Sequence, residues 1–159
     1  MRGFIITGTS SGIGKELCKL LLEDNKNRVI GICRTQKIQH RNYRHITIDL
    51  NNIAEIEALD FSDWTQAEQI CLIHNAGWIG PIKKIADQNA ESITAAYMIN
   101  LVAPAILSSK FIFRYKNSNA QKVILSISSG AAHSAIEGWN TYCSSKAGLD
   151  MLSKCIDKE

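Results

Sequence analysis

Short apolar runs alternate along this chain with longer stretches of helical period. Phe4-Ile5-Ile6, Ile46-Thr47-Ile48 and residues 29–33, 70–73 and 123–127 read as buried strands, while 14–24, 52–59, about 90–115 and about 139–157 read as helices. Strands alternating with helices require crossover connections and therefore a parallel sheet. Such crossovers are nearly always right-handed, which places helices on both faces. The expected class is α/β, a doubly wound parallel sheet, without internal repeats or linkers.

The junction of the first strand and first helix carries candidate chemistry. There Thr7-Gly8-Thr9-Ser10-Ser11-Gly12-Ile13-Gly14 precedes Leu17, Leu20 and Leu21 at helical spacing. Glycines permit a tight turn and close approach of a phosphate to the backbone, and the helix amino terminus offers unpaired N–H groups and partial positive charge. The strand–turn–helix context distinguishes this from an ordinary glycine turn. Gly8, Ser10, Ser11, Gly12, Ile13 and Gly14 are the candidate dinucleotide-binding residues.

Composition narrows the classes. With 159 residues and 45% hydrophobic content, one domain over 1–159 is expected. A net charge of +3 without a basic run argues against nucleic acid. No apolar stretch reads as the ~18 residues of a membrane span, and the first strand begins too early for a signal peptide. Five cysteines without CxxC spacing argue against a disulfide framework or zinc site, so they read as free thiols in a reducing cytoplasm. Cys18 and Cys71, in apolar runs, read as small core residues. No metal is expected.

Further candidates lie towards the carboxyl end. Tyr142 and Lys146, four apart in a helical segment, share one face. A tyrosine is a poor acid or base at neutral pH until a nearby cation stabilises its phenolate, and Lys146 supplies that field. Pro104 has no N–H for the carbonyl of Asn100, which is left for another partner or accompanied by a kink. Ser129 and Ser128 stand at a strand end; either is suited to hold a substrate oxygen or to bond its own backbone.

The spacing glycine, three residues, glycine, one residue, glycine resembles that of the short-chain dehydrogenase/reductase family, and the remaining motifs stand in family order. The resemblance implies a Rossmann-type fold lacking the last strands of the family, and it is nearest to the sepiapterin and benzil reductase-like branch. It implies a catalytic serine at Ser129, thirteen residues before Tyr142, cofactor contacts by Tyr142 and by Lys146, the latter on the nicotinamide ribose, and a proton path in which the Asn100 carbonyl and Lys146 share a water. Asp49 and Leu50 match the family's adenine contact, with a plain helix cap as the other reading of Asp49. Asn75-Ala76-Gly77 matches the family triplet bordering the cofactor. His74, where relatives often carry Asn, is assigned no chemistry.

Cys33 stands where NAD-using relatives place Asp, and Arg34 follows, able to grip a 2′-phosphate through paired hydrogen bonds. NADP(H) is therefore the expected cofactor, with Lys15, Lys37 and Arg41 as possible helpers. The expected activity is reduction of a ketone or aldehyde, or oxidation of the alcohol, by hydride transfer with Tyr142 as general acid/base. The alternative is a truncated, non-catalytic nucleotide-binding module. Trp78, His133, Ile136 and Trp139 are expected near the pocket mouth. The family's usual length is roughly 250 residues, which leaves three explanations: a longer parent chain cut short, the favoured one, a second chain supplying the rest, or a small protein that binds nucleotide without catalysis. The 123–127 strand is then expected as an exposed, apolar sheet edge. The long helix and the last helix are expected to form a homodimer or homotetramer contact.

Overall fold

The computed structural model describes residues 1–62 and 64–159. Five strands, β1 Arg2–Thr7, β2 Asn27–Ile32, β3 Tyr43–Ile46, β4 Gln69–His74 and β5 Gln121–Ser126, pair in the order β3-β2-β1-β4-β5, all parallel. The Rossmann-type doubly wound sheet expected from the alternation is present. Strand order reverses between β1 and β4, and a crevice at the carboxyl ends of those strands is where such sheets hold ligands.

Helix α1 Gly12–Leu22 packs on one face. It buries Cys18 and Leu22 with Ile6, Val29, Cys71 and Ile73, while Leu20 faces outward. Burial pushes the Cys18 and Cys71 thiols up to about 12 and about 11, which suits inert packing groups. On the other face α2 Ile53–Ala58 and α4 Ala103–Tyr115 enclose a cluster including Ile5, Ile30, Ile56, Leu72, Leu107 and Phe111. Each such side chain contributes roughly 1.5–3 kcal/mol through burial.

Two expectations change. The strand at Ile46-Thr47-Ile48 ends at Ile46, because β3 matches only Val29 to Ile32 of its neighbour; Ile48 is buried from the following loop instead. The helix expected near 90–115 is continuous over Ala90–Tyr115 and is long and apolar enough, by length and composition, to cross a membrane, with a mean hydropathy of 1.5 over an 18-residue window. This corrects the expectation that no apolar stretch is that long: Asn100, Ser108 and Ser109 interrupt the apolar run without lowering its mean much. Its apolarity has another use here: Ala96, Ala103, Leu107, Phe111 and Tyr115 are buried.

That helix has three parts: α3 Ala90–Tyr97, a π-helical turn Met98–Val102, and α4. Pro104 cannot donate to the Asn100 carbonyl and crowds it, and a widened turn is the usual accommodation. The N–H of Ala103 accordingly reaches back to the Met98 carbonyl. The last helix, α5 Asn140–Ile156, packs against the π turn and against a 3₁₀ turn at Gly130–Ala132. β5 forms the sheet edge, with Leu125 42% exposed.

Candidate active site

A cleft of about 630 Å³ opens at the β1/β4 reversal, and it is lined by Gly8, Ser10, Ser11, Ile13, Arg34, Asp49, Leu50 and the Asn75-Ala76-Gly77 triplet. Most of the residues singled out for nucleotide binding thus converge on one crevice. Gly8 has a φ of +75°. A methyl there would also lie 2.8 Å from the Ala76 Cα, so conformation and space both demand glycine. Gly14 is buried instead of lining the cleft, and a methyl on it would collide with the Asn75 amide and stand 2.5 Å from the Gly8 carbonyl. Gly12, at φ +54°, turns the chain into α1.

The loop is braced from β4. Asn75 Nδ2 donates to the carbonyls of Thr7 and Gly8 at 3.0 and 3.2 Å, and the Thr7 hydroxyl accepts from the N–H groups of Asn75 and Ala76 at 3.1 and 3.0 Å. Thr7 was not singled out from sequence; the available signal was a polar residue closing an otherwise apolar strand. At α1's start Ser11 makes no side-chain cap and the first turn holds no acidic residue, which leaves the positive helix end for an anion.

At the adenosine end, Cys33 Sγ lies 3.1 Å from the Thr9 hydroxyl and donates to the Thr35 carbonyl at 3.3 Å. Arg34 is exposed at the cleft edge with no hydrogen bond or ion pair among the described residues. Asp49 does not cap α2. That cap is Asn52, whose Oδ1 accepts from Ala54 and Glu55, while Asp49 Oδ1 accepts from Asn51 at 3.0 Å. These features fit a dinucleotide phosphate chain: glycines where a side chain would fill the cradle, an uncapped helix terminus, and an uncommitted guanidinium.

Lys146 is 3% exposed, and its Nζ donates to the Ile127 carbonyl at 2.8 Å and lies 6.0 Å from the centre of the Tyr142 ring. Burial lowers its titration point, and the Asp150 carboxylate opposes that shift. Tyr142 is half-buried and meets Trp139 edge-on, with ring centres 5.8 Å apart. A methyl on Gly77, a residue of the cleft wall, would stand 3.5 Å from Lys146 Nζ and 3.7 Å from Asn100 Oδ1; Lys146, Asn100, Tyr142 and Ser129 do not themselves line the cleft.

Asn100 is engaged through its side chain. Oδ1 accepts from the Trp78 N–H at 2.8 Å, and Nδ2 donates to the Trp78 carbonyl at 2.8 Å and Ser145 Oγ at 3.0 Å. It clamps the backbone that follows Gly77, a role the sequence reading did not foresee. Ser129 begins the 3₁₀ turn after β5, and its hydroxyl accepts from the Ala131 N–H at 3.2 Å. The local backbone bond allowed for a strand-end serine is therefore present, and it leaves the hydroxyl hydrogen available.

His74 is buried, with Nε2 2.8 Å from Ser108 Oγ and Nδ1 without a partner among the described residues. Burial, then the Lys146 charge, lowers its pKa from 6.5 to about 4. Because the unfolded chain binds this proton first, stability falls as pH drops from about 6.5 towards 4, and the full loss is on the order of 3 kcal/mol. His74→Asn is expected to flatten that acid limb, measured by urea unfolding at a series of pH values; a limb as steep as the wild type's would show that His74 does not titrate in this way.

The chain belongs to the short-chain dehydrogenase family: the model described as short chain dehydrogenase matches residues 3–159. It is therefore an oxidoreductase by family. It is 36% identical over 165 residues to benzil reductase ((S)-benzoin forming) of Bacillus subtilis (strain 168), covering 100% of this chain and 68% of that protein. A short-chain dehydrogenase/reductase from Burkholderia vietnamiensis superposes with a TM-score of 0.89 at 26% identity, over 99% of this chain and 79% of that one. A 4-hydroxyisoleucine dehydrogenase complexed with NADH gives 0.82 at 29% identity, over 98% and 68%.

Proposed function

We propose that this protein is an NADP(H)-dependent carbonyl reductase acting on apolar ketones, vicinal diketones above all. The observation that carries the reading is the buried Lys146 side chain beside Tyr142 and close to Gly77 of the cleft wall. Gly8, Ser10, Ser11 and the α1 terminus would hold the pyrophosphate, Asp49 and Leu50 the adenine, and Arg34 the 2′-phosphate. When bound, the cofactor supplies hydride to the carbonyl carbon.

The chain's own residues supply the rest. Ser129, whose oxygen already accepts a backbone N–H, donates its hydrogen to the carbonyl oxygen and holds the charge that develops there. Tyr142 gives its phenolic proton to that oxygen, and Lys146 stabilises the phenolate left behind. Asn100 fixes Trp78 and, beside it, Gly77. Trp78 in the cleft wall, with the partly exposed Ile136 and Trp139, would supply aromatic and apolar surface suited to aryl groups. The benzil reductase relatives support this substrate class.

Arg34→Ala tests the cofactor choice. Losing charge-assisted hydrogen bonds to a phosphate is expected to weaken NADPH binding roughly 10- to 100-fold, with NADH binding little changed. Fluorescence titration of both nucleotides reads this directly. Equal losses for the two, or a wild type preferring NADH, would refute the assignment.

A further inference from the structure

Helix α5 carries Tyr142, Lys146 and Asp150 at successive steps of four, so all three lie along one face. The mechanism above uses the first two and leaves Asp150 without a task. Its Oδ2 stands 3.2 Å from His133 Nε2, and its side chain is only 16% exposed against 67% for His133. His133 closes the 3₁₀ turn by donating its N–H to the Gly130 carbonyl, and Ser129 opens the same turn. One carboxylate therefore reaches both the turn that presents Ser129 and the neighbourhood of Lys146.

The charges around Lys146 make that reach consequential. His74 approaches from β4 and is held uncharged by its burial and by Lys146, while Tyr142 lies a turn back on α5. The π turn contributes Asn100 and β5 contributes Ser126, both uncharged; Tyr97 of α3 is bonded to Ser144, and Glu91 is exposed at the far end of α3. Asp150 is the acidic group that opposes the desolvation of the Lys146 ammonium.

We propose that Asp150 is a positioning residue whose carboxylate ties the Ser129 turn to α5 through His133 and keeps Lys146 in its ammonium form. Its catalytic consequence rests on the reading of Ser129, Tyr142 and Lys146 as the reacting set. Asp150→Asn removes the charge and keeps the size; Asp150→Glu returns the charge. His133→Ala cuts the tether and leaves the charges on α5 in place.

The direct test is a carbon NMR titration of the whole chain labelled at lysine Cε, with the Lys146 signal assigned by Lys146→Arg. Asp150→Asn is expected to move the Lys146 midpoint down by about one pH unit, and Asp150→Glu to bring it back. The alkaline limb of kcat for benzil reduction is expected to move with it. His133→Ala is expected to raise KM for benzil roughly two- to fivefold, the scale of one lost hydrogen bond, with the Lys146 midpoint unmoved. An unmoved midpoint in Asp150→Asn overturns the electrostatic role, and an unchanged KM in His133→Ala overturns the tether. A shifted midpoint in a chain without benzil turnover supports the role at Lys146 and counts against the carbonyl reductase reading instead.

Discussion

Tyr142→Phe is expected to slow NADPH-dependent carbonyl reduction on the order of 10³-fold, the usual value of a well-placed general acid. The substitution removes one hydroxyl. It leaves the ring to meet Trp139 edge-on and leaves Lys146 on the Ile127 carbonyl, so packing has no reason to fail. NADPH titration should therefore give wild-type affinity, and thermal unfolding a wild-type midpoint, while the rate falls. Turnover retained within tenfold of wild type would remove Tyr142 from the mechanism. Loss of binding together with turnover would make it a structural residue instead.

Gly8→Ala is expected to weaken NADPH binding by 10²-fold or more. Two costs add at this position. The left-handed backbone costs a non-glycine residue roughly 1–2 kcal/mol, and the new methyl must displace the Ala76 backbone, 2.8 Å away, at roughly 1–3 kcal/mol. Both strain the Asn75 and Thr7 brace that shapes the cradle. Gly12→Ala is the informative comparison, because a methyl there meets nothing within 4 Å and only the backbone cost applies. Its NADPH affinity should fall by about 30-fold at most; equal losses at the two positions would mean that space around Gly8 is not the constraint. Fluorescence titration measures both.

Much of this architecture was legible because the parallel sheet is buried on both faces, which turns strands into continuous apolar runs such as Phe4-Ile5-Ile6. The glycine loop was legible because conformation and space demand glycine at Gly8 and space demands it at Gly14, so the constraint is written in residue type. Arg34 followed from its distance past that loop and Asp49 from the family resemblance after the third strand; both line the cleft.

What the sequence hid are relations set by tertiary contact. Pro104 announced a disturbed carbonyl at Asn100, yet not that the helix would widen over Met98–Val102 and turn the Asn100 amide onto both polar groups of the Trp78 backbone. Thr7 carries no motif of its own; its brace exists only because β1 and β4 are neighbours in space. The apolar length of Ala90–Tyr115 was hidden by serines and asparagine spread along it, of which Asn100 and Ser108 are buried against partners. Asp150 lay outside any pattern, because its partner His133 comes from a separate turn.

The central claim is that this chain uses NADPH to reduce a carbonyl. It is tested most directly by mixing the purified wild-type chain with NADPH and benzil, and following loss of NADPH absorbance together with benzoin formation by chiral chromatography. The account predicts one benzoin formed per NADPH consumed, with much slower consumption of NADH. NADPH bound tightly and left unoxidised in the presence of benzil and other vicinal diketones would contradict it.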